Sequence, residues 1–121
     1  MKIQESAENY LETILILGKN GNPVRSIDIS TELDYTKPSV SVAMKKLRLD
    51  GYIKVDSSGF ITLTESGRAV AESMYERHQV ISNWLISLGI DEKTAAGDAC
   101  RMEHVISEQS FLAIKRSLEN C

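Results

Sequence analysis

The chain has 121 residues, of which 42% are hydrophobic and 26% charged, and its net charge is −3; that length supports one modest core and an ordinary soluble composition. No apolar run approaches the roughly 18–20 residues that span a bilayer. The opening MKIQESAENY carries no secretory apolar stretch, so a cytoplasmic location is expected, and two cysteines, Cys100 and Cys121, exclude a disulfide framework.

Residues 4–17 read as a first helix, with Leu11, Ile14, Leu15 and Leu17 on one broad stripe and Gly18 and Gly21 to end it. A short second helix starts near Ser26, with Ile29 and Leu33 inward. A third begins near Thr36 and accepts Pro38 in its first turn, where the missing N–H does no harm. Its apolar face is Val40, Ala43, Met44 and Leu47, and Gly51 stops it. The period then drops to about two: Tyr52–Val55 and Phe60–Leu63 flank Asp56-Ser57-Ser58-Gly59 and predict a β-hairpin. Thr64 caps a long helix carrying Val80, Ile81, Trp84, Leu85 and Leu88, ended by Gly89. Asp91 starts another helix to about Ile106, and Ser107 a last one with Phe111, Leu112 and Ile114, which a monomer would expose as an apolar patch.

The predicted fold class is therefore mainly α with one small β-hairpin. Three helices followed directly by a hairpin have the order of a winged helix-turn-helix, with a helical segment after it. We expect a DNA-binding domain over residues 1–64 and a helical domain over 65–121.

Charge is segregated along this plan. Residues 36–54 hold Lys37, Lys45, Lys46, Arg48 and Lys54 against Asp50 alone, whereas residues 64–121 hold six basic and nine acidic side chains. A phosphate backbone responds to the local patch rather than to the total. With Val40, Ala43, Met44 and Leu47 inward, Pro38, Val42, Lys45 and Lys46 turn outward, flanked by Lys37, Ser39 and Ser41. That face suits a major groove, and Lys54 on the hairpin suits the backbone beside it.

The second half contains Cys100, Glu103 and His104 at helical i, i+3 and i+4 spacing, so thiolate, carboxylate and imidazole share one face. These are first-row transition-metal ligands, and sulfur disfavours magnesium and calcium. A fourth ligand would come from elsewhere: Glu12, Asn9 or His78. The rival reading is a metal-independent winged-helix regulator with Cys100 buried as a small hydrophobe. An enzyme reading lacks an orienting third group or an oxyanion hole.

The runs DACRMEHVIS, YERHQV, AENYLETIL and TKPSVSVAMKKLRLDGYI together resemble the diphtheria toxin repressor family of metal-dependent regulators, in the same order over nearly the whole chain. The resemblance implies a homodimeric repressor of metal-homeostasis genes that binds an inverted-repeat operator when loaded with Fe(II) or Mn(II). It implies Cys100, Glu103 and His104 as ligands, joined by Asn9, Glu12 and His78. It also implies the plan of the short manganese-responsive members, without an SH3-like domain. Two departures stand out: Asn9 replaces a methionine or aspartate, and Ser82 and Ala96 replace further ligands of the iron-type members.

Overall fold

The computed structural model describes residues 5–119. Among these are six α-helices and one antiparallel hairpin: α1 (Glu5–Leu17), α2 (Ser26–Leu33), α3 (Lys37–Leu49), β1 (Ile53–Val55), β2 (Ile61–Leu63), α4 (Glu65–Ser87), α5 (Glu92–Val105) and α6 (Glu108–Glu119). A single 3₁₀ turn, Lys19–Gly21, follows α1. Each predicted element is present, and the strands are one residue shorter at their starts than expected. The chain divides into two compact units, one ending at Glu72 and the other starting at Ser73.

The first unit has an apolar core. Leu11 and Ile14 of α1, Ile29 of α2, Val40, Met44 and Leu47 of α3, Ile53 and Ile61 of the hairpin and Ala71 of α4 are all buried. Helical spacing on α3 produces this face, as the sequence predicts, and Ala43 packs partly buried beside it. Thr36 caps α3: its hydroxyl accepts from the Ser39 amide at 3.3 Å, and Pro38 falls in the first turn.

The hairpin pairs Ile53 with Leu63 and Val55 with Ile61. Its turn is held by Asp56, whose carboxylate accepts from the Ser58 and Phe60 amides at 2.9 Å. One bond is not legible in the sequence pattern: the Ile61 amide donates to the Val24 carbonyl at 2.8 Å, tying the segment before α2 to β2. Close packing recurs where α4 begins. Thr64 accepts from the Gly67 amide, and a Cβ at Gly67 would collide with the Tyr52 carbonyl, so only glycine fits there.

The second unit is built differently. α4 closes on Gly89, at φ 99°, and the Ile90 amide reaches back to the Leu85 carbonyl at 3.1 Å. Asp91 caps α5 through the Thr94 amide at 3.0 Å, and Ser107 caps α6 through the Ser110 amide at 3.0 Å. Met74, Ile81, Ala95, Ala99 and Phe111 are buried, and so is Glu103. Leu112 is exposed and Ile114 half-buried, but Phe111 turns inward. Its ring lies beneath the Arg77 guanidinium, 5.3 Å from the centroid. It therefore does not join Leu112 on an exposed apolar patch, because the helix has a cation to bury against.

Candidate metal centre and nucleic-acid interface

α3 presents the face that its period dictates. Lys37, Pro38, Ser39, Ser41, Val42, Lys45 and Lys46 are all exposed, and Val42 is 71% so. The lysines point away from the buried stripe because they alternate with it at helical spacing. Ser39 is not a bare hydroxyl: it accepts from the Thr36 side chain at 2.8 Å. Lys54 is exposed on β1. Arg25, an exposed cation stacked 4.5 Å over the Phe60 ring beside the hairpin, is not among the candidates that the sequence offers. Arg25 precedes α2 as a lone basic residue, outside any cluster, so charge patterning does not single it out.

The metal-ligand candidates of the second unit separate by burial. Glu103 lies on α5 with no exposed surface, and His104 and His78 are half-buried. The Glu103 carboxylate stands between two imidazoles. His78 Nδ1 is 3.2 Å from Oε2, and His104 Nε2 is 3.3 Å from Oε1. Neither contact is aligned as a hydrogen bond, and both carboxylate oxygens are buried without one. The short contact with Glu103, within hydrogen-bond range, holds the His78 pKa above its ordinary value; partial burial opposes it and the carboxylate charge reinforces it.

Cys100 is exposed on α5. It does not fill the core as the metal-independent reading requires, and it does not share the burial of Glu103. On α1, Glu12 is buried and Asn9 half-buried. The Asn9 backbone carbonyl accepts from the Thr13 hydroxyl at 2.8 Å. Ser82 and Ala96 are half-buried and supply no strong ligand.

Leaving both oxygens of a buried carboxylate without hydrogen bonds costs free energy, on the order of 1–3 kcal/mol or more for a charged group. A divalent cation removes that cost, because carboxylate and imidazole are its ligands. The residues present therefore fit a transition metal. No helix among the described residues is long and apolar enough to cross a membrane.

Comparison with known proteins assigns both parts of the chain to one family. Residues 2–59 match the iron dependent repressor N-terminal DNA binding domain, and residues 64–121 match the iron dependent repressor metal binding and dimerisation domain. An uncharacterized HTH-type transcriptional regulator of Methanocaldococcus jannaschii is 34% identical over 119 residues, covering 97% of this chain and 95% of its own. The transcriptional regulator MntR of Escherichia coli is 31% identical over 112 residues, covering 93% of this chain and 72% of its own. A manganese-dependent transcriptional repressor solved in complex with manganese superposes with a TM-score of 0.87 at 25% identity, over 93% of this chain and 52% of that one. This chain belongs to the diphtheria toxin repressor family of metal-dependent transcriptional repressors.

Proposed function

We propose that this chain is a cytoplasmic homodimeric repressor whose operator affinity is raised by Mn(II) or Fe(II), with Glu103, His78 and His104 at the heart of the metal site. The observation that carries this reading is the Glu103 carboxylate, buried without hydrogen bonds and faced by two imidazoles within 3.3 Å. The family resemblance adds Glu12 and Asn9 of α1 and Cys100 of α5 as further ligands. It also supports a boundary near residues 64 and 65 between the DNA-binding and the metal-binding, dimerisation segments.

When bound, the metal would supply two positive charges beside a buried carboxylate that accepts no hydrogen bond. The chain's own residues do the rest. Lys37, Lys45, Lys46 and Lys54 neutralise phosphates. Pro38, Ser39, Ser41 and Val42 meet base edges or the adjoining backbone, and Val42 offers an apolar surface suited to a thymine methyl. A two-fold dimer presents two such helices and so reads an inverted repeat. Metal selects among conformations of the chain those that fit the operator, and a coupling of about 1–3 kcal/mol gives roughly 5–150-fold tighter binding.

The test is operator binding under anaerobic conditions with Fe(II), Mn(II) or Zn(II), against EDTA. The parent binds more tightly with Mn(II) or Fe(II) than in EDTA, and His104→Ala loses that gain while keeping the salt-dependent residual affinity of the basic face. Equal operator binding in EDTA and in metal by the parent overturns the switch and leaves a metal-independent winged-helix regulator.

A further inference from the structure

The geometry points to Arg77 as the positioning residue that holds Glu103 and His78 in place for a metal before any metal arrives. This inference rests on the metal site proposed above. Arg77 is a largely buried arginine, its side chain 12% exposed. Its Nη1 donates to the Glu103 carbonyl at 3.2 Å and to the Ile106 carbonyl at 2.8 Å. Its Nη2 donates to Glu108 at 2.9 Å, and the guanidinium covers Phe111.

The Glu103 carbonyl lies in the last turn of α5, where backbone acceptors have no partner within the helix. A cation there satisfies that acceptor and also sits at the favourable end of the helix dipole. The neighbouring residue on α4 is His78, which faces the Glu103 side chain at 3.2 Å. Two consecutive residues of α4 thus hold both ends of Glu103: Arg77 its carbonyl and His78 its carboxylate. This fixes the register of α4 against α5 without a metal. Arginine is required because one planar fork reaches two carbonyls and a carboxylate, which an ammonium cannot do in the same geometry. Partners behind metal ligands are worth about 10–100-fold in affinity when removed.

The experiment titrates Mn(II) into the full chain carrying Arg77→Met, Arg77→Lys, Phe111→Leu or His104→Ala, and records thermal stability without metal for each. Arg77→Met is expected to weaken Mn(II) binding about 10–100-fold, with Arg77→Lys intermediate. Phe111→Leu removes the ring under the guanidinium but not the carbonyl bonds. It should lose thermal stability yet bind Mn(II) within a few-fold of the parent. If Arg77→Met does not fold, Arg77→Lys decides, and parent-like affinity in it overturns the assignment. Loss of Mn(II) binding in Phe111→Leu in proportion to its lost stability also overturns it, since Arg77 would then act through stability alone. His104→Ala separates the two levels. Parent-like Mn(II) binding in that variant removes the metal site itself, whereas its loss beside an unaffected Arg77→Met removes only the role of Arg77.

Discussion

The two units of this chain are stabilised by different means. The first has an apolar interior drawn from α1, α2, α3, the hairpin and the start of α4, with its described lysines and arginines exposed and Glu12 as a buried carboxylate at its edge. The second buries a carboxylate and most of an arginine among comparatively few large apolar side chains. Apolar burial is non-directional and tolerates many partners. Buried charges tolerate few, because each must meet a partner in a set geometry. The basic reading surface can therefore be carried on an indifferent scaffold, while the metal site is itself part of its scaffold.

The sharpest break of this comparison pairs one substitution from each unit. Ile29 has no exposed surface, and Ile29→Ala should destabilise the protein by about 2–5 kcal/mol whether or not metal is present. Glu103 is just as buried, yet Glu103→Gln in EDTA should leave stability unchanged or raise it by up to about 3 kcal/mol, because a neutral amide replaces a buried charge whose oxygens accept no hydrogen bond. Added Mn(II) should then stabilise the parent and not the variant. Thermal unfolding of the two variants with and without Mn(II) checks both signs. A Glu103→Gln protein as destabilised in EDTA as Ile29→Ala would place Glu103 with the structural core rather than with the metal.

The same contrast explains what was legible in the sequence. Helical spacing found the buried stripe of α3, and single-residue chemistry found the caps Thr36, Thr64, Asp91 and Ser107 and the stop at Gly89. These signals are local, so one stretch of sequence contains them. The arrangement around Glu103 is not local. Cys100, Glu103 and His104 share a helix, but the structure exposes Cys100 and buries Glu103; spacing indicates which residues share a face without indicating what covers it. Arg77 and Phe111 were missed in their structural roles for a related reason. An arginine reads as surface and a phenylalanine as a patch until three helices bring them together. Likewise, Arg25 on Phe60 and the Ile61–Val24 bond depend on segments far apart in sequence.

A smaller effect sharpens the account of the first unit. Lys46 is exposed on α3 and belongs to the basic set. Lys46→Ala should weaken binding to all DNA sequences alike and flatten the salt dependence by close to one counterion, a slope change of about 0.9 on logarithmic axes. It should not alter metal affinity, since its contribution is to phosphate attraction. Operator and non-operator binding measured across a salt series checks this. A changed base preference at constant slope would move Lys46 from phosphate contact to base reading.

The smallest effect concerns how the second unit holds its helix ends. Two of its helix starts use side-chain caps that the sequence announces, Asp91 for α5 and Ser107 for α6, as Thr64 does for α4 in the first unit. Only Asp91 titrates in the acid range. Its bonds with Thr94, the backbone amide first and the side chain second, hold its carboxyl below the usual carboxylate range. A depressed pKa in the folded state means the ionised cap stabilises the fold above the unfolded-state pKa. That contribution disappears as pH falls through the lower, folded-state value. Asp91→Ser retains an acceptor for the Thr94 amide without a titrating group. The stability difference between parent and Asp91→Ser should therefore be small and constant from neutral pH down to the ordinary carboxylate range, then shift against the parent on further acidification. Thermal unfolding of both proteins over that range, in EDTA so that metal release does not contribute, gives the comparison. A difference that stays level to the lowest pH would mean that the charge on Asp91 does not contribute to the cap and that hydrogen bonding alone holds the start of α5, as it does for α4 and α6.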